Sequence, residues 1–152
     1  MTKLALEKDV ILKRLAGIES ELSELEELKT LNFDEFAGGD GWKLTQFHLH
    51  RALEGVFNIC SHISSRIPGT QATQYKELAL KLGEVGIVSN DYAEKKLVQM
   101  AKYRNRLVHF YAQITKQELF DLLQHNLGDF DLFLTSVKNL LAHPEKFNLV
   151  AE

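Results

Sequence analysis

One cysteine and two prolines in 152 residues leave few covalent or conformational constraints. A single thiol, Cys60, cannot close an internal disulfide, which argues against a stapled secreted domain. Its apolar neighbours Ile59 and Ile63 offer no base, so it reads as core filler rather than nucleophile. Pro68 and Pro144 fall where helical patterns end. No stretch approaches the ~20 apolar residues of a membrane span. The polar N-terminus lacks a signal-peptide apolar segment, so a cytoplasmic protein without membrane attachment is expected. Acids are missing from one window: Lys95 to Gln117 has none, but holds Lys95, Lys96, Lys102, Arg104, Arg106 and Lys116.

Elsewhere acids dominate. Gly17 to Asp40 carries eight of them against Lys29 alone, and the formal net charge is −3. A local cationic window can hold phosphates even on an acidic chain, because surface fields are screened over about 8–10 Å. Two solvated faces of opposite sign fit the same charges equally well.

The apolar pattern is helical throughout. Leu4, Ile11, Leu15, Ile18, Leu22 and Leu25 recur at helical spacing, predicting a first helix over about 3–29. Asn32 and Glu35 fit the caps of a short turn. A second helix is predicted from about Trp42 to Ile67, stopped by Pro68-Gly69. Tyr75 to Val85 reads as a shorter helix ending near Gly83 and Gly86. Asp91 and Glu94 fit a capping box for a helix over about 91–110. Thr115 and Glu118 fit another for a last helix over about 116–142, weakened at Gly128 by ~1 kcal/mol relative to alanine. Residues 1–152 are expected to form one domain, an all-α, up-and-down bundle of four to five helices.

Chemistry concentrates in Arg104-Asn105-Arg106-Leu107-Val108-His109-Phe110-Tyr111. Cleaving RNA through its own 2′-hydroxyl needs one proton removed and another donated, beside positive charge on the phosphate. Histidine moves protons near neutral pH. Arginine forks onto phosphate oxygens, and tyrosine donates to phosphate or stacks on a base. At about 100° per residue, Arg104 and Tyr111 are nearly in register, while His109 is about 140° from Arg104. Either the helix ends or distorts near His109, or a two-fold dimer completes the site, and the shared site is favoured. Packing or capping roles for all three remain open on spacing alone.

The run Arg-x4-His-x-Tyr resembles the signature of HepT-type HEPN toxins. Around it, Leu97 to Asn105 is similar to the family's "Leu-x-x-Met-Ala-x-Phe/Tyr-Arg-Asn", and Tyr75 to Val88 to its "Tyr…Leu…Gly-Val-Ile" approach. The resemblance implies a HEPN-like two-fold dimer and a metal-independent ribonuclease toxin acting on tRNA or mRNA. It implies Arg104 and His109 as the catalytic pair. Asn105, Arg106, Tyr111, Lys102 and Arg51 are expected to bind substrate. It also implies a partner antitoxin, an MntA-type minimal nucleotidyltransferase that can transfer AMP from ATP to Tyr111. No cofactor of the chain's own is expected. The alternative is a non-catalytic HEPN module that binds nucleotides or partners. On the second helix, where the family often shows Glu-Arg and then Asp-x-x-x-His, this chain has His50-Arg51 and Asn58 to His62. His50, Glu54, Asn58 and His62 stand four residues apart, a polar lining more readily than a metal site.

Overall fold

The stripe of the first helix is buried as its spacing requires. The computed structural model describes residues 4–109 and 114–152. Helix α1 (Lys8–Leu28) buries Ile11, Leu15, Ile18 and Leu25 and carries Asp9 in its first turn, where the helix dipole favours an anion. Leu4, expected at the start of this helix, instead opens strand β1 (Leu4–Leu6). That strand pairs in parallel with β2 (Leu149–Ala151), Leu4 opposite Leu149, so the two ends of the described chain lie side by side.

Helix α2 (Phe33–Gly38) begins with the full reciprocal box between Asn32 and Glu35. Helix α3 (Gly41–Ser64) runs through the centre of the bundle and packs on α1. The Ile18 side chain of α1 packs directly on the backbone of Gly55, where an added Cβ would lie 2.7 Å from Ile18 Cγ1. Helix α3 stops three residues short of the expected Ile67. There the Ser64 hydroxyl donates to the Thr70 carbonyl (2.6 Å) and the Thr70 hydroxyl donates back to the Ser64 carbonyl (2.9 Å). Helix α4 (Tyr75–Glu84) ends in a Schellman turn: Ile87 N–H bonds Leu82 O and Gly86 N–H bonds Gly83 O, with Gly86 at φ 81°.

The motif-bearing helix is continuous but not uniform. It comprises α5 (Asn90–Tyr92), a π-helical turn (Ala93–Leu97) and α6 (Val98–Val108). Its cap is Ser89, whose hydroxyl accepts from Tyr92 N–H, and not the expected Asp91–Glu94 box. Ser89 has the extended backbone a cap requires. Asp91, already inside the helix, pairs with Lys95 at 2.8 Å. The helix ends at Val108, two residues before the expected boundary.

The expected single last helix over 116–142 is two, α7 (Lys116–His125) and α8 (Asp129–Ala142). The Asn126 side chain bonds the Asp129 carboxylate at 3.0 Å, and the Tyr92 hydroxyl donates to the Asp129 carbonyl at 2.6 Å. The local Asn126–Asp129 bond competes with the helix ladder beside Gly128, a weak helix former, and the long-range bond from Tyr92 anchors the start of α8. A 3-10 turn (Pro144–Phe147) then leads into β2. One hydrophobic cluster joins the helices, with Phe36, Phe57 and Phe133 fully buried. Cys60 is in it, and burial pushes its thiol pKa up, which suits filler and not a nucleophile. Among the described residues, no helix is long and apolar enough to cross a membrane.

Candidate functional site

Helix α6 buries Met100 and Ala101, which turns Arg104 toward α3 and α4. Its Nε donates to Glu54 Oε1 of α3 at 2.5 Å. Its guanidinium carbon lies 4.5 Å from the Tyr75 ring centroid, and Tyr75 stacks on buried Phe57 at 4.9 Å with planes 7° apart. Nη1 donates to Asn105 Oδ1 at 3.3 Å. Charge on one edge, an aromatic face and an amide therefore fix the plane of Arg104.

His109 leaves the helix. Its backbone is extended (φ −100°, ψ 115°), while its N–H still bonds the Asn105 carbonyl at 3.0 Å. The extended ψ turns the chain away from the helix axis after His109. Asn105 thus touches both motif residues, through its side chain to Arg104 and its carbonyl to His109. His109 lines an open cleft of about 490 Å³ together with Trp42, Lys43, Phe47, His50 and Arg106. None of the described residues lining it is acidic. Arg104 is not part of that wall. It meets the cleft through Glu54, whose Oε1 lies 3.6 Å from His50 Nε2. Within one chain, then, Arg104 is bonded to Glu54, while His109 shares the cleft lining with His50.

The other expected residues divide. Arg106 lines the cleft but forks onto Glu118 of α7, Nη1 to Oε2 at 2.6 Å and Nη2 to Oε1 at 2.8 Å. Glu118 Oε2 also accepts from the Tyr103 hydroxyl at 2.7 Å. Arg106 holds the Glu118 carboxyl below its ordinary pKa, and partial burial, then Glu118 itself, pushes Tyr103 up. Lys102 is exposed on the same helix. Arg51 lies outside the cleft wall, bonded to Glu21 Oε1 of α1 at 2.6 Å with its guanidinium over Phe47. His62 is remote from the site: its Nε2 accepts the Glu7 N–H at the start of α1, at 3.1 Å. Among the described residues, no cluster of three or more His, Cys, Asp or Glu side chains is arranged to hold a metal. Tyr111 lies outside the described residues.

Sequence reasoning did not give Glu54 and Glu118 their parts. Glu54 stood in the four-residue stripe with His50, and Glu118 counted only as half of a cap. Thr115 does accept from Glu118 N–H, but the Glu118 carboxylate turns to Arg106 instead.

The chain is thus a small helical bundle with an arginine fixed by a carboxylate and an aromatic face, and a histidine at the end of the same helix lining a cleft with Lys43 and Arg106. The family model "Ribonuclease HepT-like" matches residues 18–137. The chain belongs to the HepT-like ribonuclease family. It is 24% identical over 144 residues to the tRNA nuclease HepT of Aphanizomenon flos-aquae (strain 2012/KM1/D3), spanning 94% of this chain and 97% of that one. Its fold is similar to that of the tri-AMPylated Shewanella oneidensis HEPN toxin solved in complex with MNT antitoxin. The TM-score there is 0.77 at 20% identity, covering 86% of this chain and 98% of that one. It is similar in fold also to a toxin–antitoxin solved with AMP-PNP, with TM-score 0.73 at 19% identity and the same coverage.

Proposed function

We propose that this chain is the toxin of a toxin–antitoxin pair, a cytoplasmic, metal-independent endoribonuclease. In this reading Arg104 and His109 act on one RNA phosphodiester and need no cofactor. The observation that carries it is the end of α6 at Val108, which places His109 in a cleft with no acid among its described lining residues, one turn on from an arginine whose plane is fixed by Glu54 and Tyr75. The 2′-oxygen of RNA attacks phosphorus and the 5′-oxygen departs, leaving a 2′,3′-cyclic phosphate. The 2′-hydroxyl proton passes to an imidazole, and a protonated imidazole supplies the leaving oxygen. Arg104 stabilises charge gathering on the phosphoryl oxygens, its orientation already set by Glu54 and Tyr75.

Two proton carriers and the separation of Arg104 from the His109 cleft favour a site shared between two copies of the chain. Val108, 36% exposed beside His109, offers that contact an apolar surface. The relative named a tRNA nuclease supports tRNA as substrate. The fold neighbour described as AMPylated and bound to its antitoxin supports an MntA-type nucleotidyltransferase partner that transfers AMP from ATP to Tyr111. Added negative charge next to the motif would repel RNA phosphate.

The test is cleavage of tRNA by the purified protein with chelator present. Arg104→Ala and His109→Ala should each lose cleavage while keeping the native circular dichroism spectrum. Equal activity in all three proteins would refute the assignment. With the antitoxin co-expressed, intact mass should rise in AMP steps, and Tyr111→Phe should stay unmodified.

A further inference from the structure

The wall of the cleft facing His109 carries groups that proton transfer does not use. Trp42 and Phe47 stand on α3, and Phe47 is 54% exposed even with the Arg51 guanidinium 5.3 Å from its ring centroid. Two ammonium groups lie over the indole: Lys43 Nζ at 5.5 Å, and at 4.7 Å Lys116 Nζ, which also donates to the Ala37 carbonyl at 3.1 Å from just outside the wall. Gln46, on the same wall, offers both a donor and an acceptor. Aromatic faces, ammonium groups and one amide, with no carboxylate among the described lining residues, complement a flat aromatic ligand that carries negative charge.

We infer that this wall is a subsite for one unpaired nucleotide of the RNA next to the scissile phosphate. Its base stacks on Phe47 against Trp42, and its phosphate lies between Lys43 and Lys116. Stacking needs an exposed π-face and so tolerates any base. A base within a duplex is already stacked and paired, and cannot enter. The subsite therefore selects loops or single-stranded ends, and Gln46 adds what preference there is for a base edge. This inference rests on the nuclease reading, which it deepens by naming the form of RNA taken.

Trp42 is the chain's one tryptophan, so its fluorescence reports on this wall alone. The full-length His109→Ala protein, unable to cut, is titrated with a single-stranded RNA hexamer, a hairpin stem without a loop, an abasic ribose-phosphate hexamer and AMP. The single-stranded hexamer should quench Trp42 and bind tighter than the other three. Adding Phe47→Ala should weaken that binding roughly 5- to 100-fold, while Phe47→Tyr retains it. The subsite is refuted if the abasic hexamer or the stem binds as well as the single strand, or if Phe47→Ala leaves the titration unchanged. It is equally refuted if AMP alone binds as tightly as the hexamer, or if the signal follows protein concentration instead of RNA, as when a second copy covers the wall. Cleavage by the wild-type chain is scored separately. Cutting with kcat/KM untouched by Phe47→Ala removes the subsite and leaves the nuclease standing, whereas base-dependent quenching without any cutting does the reverse.

Discussion

Replacing Glu118 by alanine removes three hydrogen bonds at once, two from the Arg106 fork and one from the Tyr103 hydroxyl. Bonds to a charged partner are worth about 1.5–3 kcal/mol when buried, and surface ion pairs about 0.2–1 kcal/mol. The Arg106 and Glu118 side chains are 34% and 31% exposed, so the pair belongs near the surface range, and water replaces part of what is lost. The bidentate geometry and the half-buried tyrosine raise it, giving about 2 kcal/mol for Glu118→Ala. At 2–4 °C per kcal/mol for a chain of this size, Tm should fall by ~4–8 °C. Glu118→Gln keeps one acceptor oxygen and should lose about half as much. The pH dependence has a definite sign. Arg106 lowers the Glu118 pKa from its ordinary 4.5. The stabilisation is therefore complete above that value and is lost as pH falls through the lower folded one. Thermal unfolding by circular dichroism at about pH 7 and about pH 3 is the assay, and the gap between wild type and Glu118→Gln should shrink at the acid end. A gap below about 1 °C at neutral pH, or one that does not change on acidification, would refute the ion-pair account.

Glu54→Ala should release Arg104 and lower RNA turnover ~10- to 100-fold with KM less affected, while Glu54→Gln, which keeps an acceptor for Nε, loses far less. Steady-state kinetics decide this, and an Ala variant as fast as wild type would count against the positioning role. Gly55→Ala drives a methyl into Ile18, itself 1% exposed, and should cost about 1–3 kcal/mol, read as a lower urea midpoint at unchanged slope. His62 accepts the Glu7 N–H only when neutral, and burial, with Arg66 nearby, holds its pKa below the usual 6.5. Its contribution is whole above 6.5 and declines as pH falls toward the folded value, so the Tm advantage over His62→Gln should narrow between about pH 7 and pH 5.

Features decided within a few residues were legible in the sequence. The buried stripe of α1, the Asn32–Glu35 box, the Thr115 cap and the glycine-ended α4 follow from helical periodicity and from hydrogen bonds that span three or four positions. The reactive residue types at Arg104 and His109 were legible too, since a guanidinium and an imidazole keep their chemistry in any fold. Local competition was harder to read: the choice of Ser89 over Asp91 as cap, and the break at Asn126, turn on small differences between alternatives of similar energy. Only the tertiary structure decided which acid meets which base. Glu54 reaches Arg104 across 50 residues, and Glu118 reaches Arg106 across a helix end, with no carboxylate among the described lining residues of the cleft. The β1–β2 pairing joins chain segments that no sequence window contains together. Such contacts depend on the crossing of packed helices, set by the whole core at once and therefore absent from any local pattern.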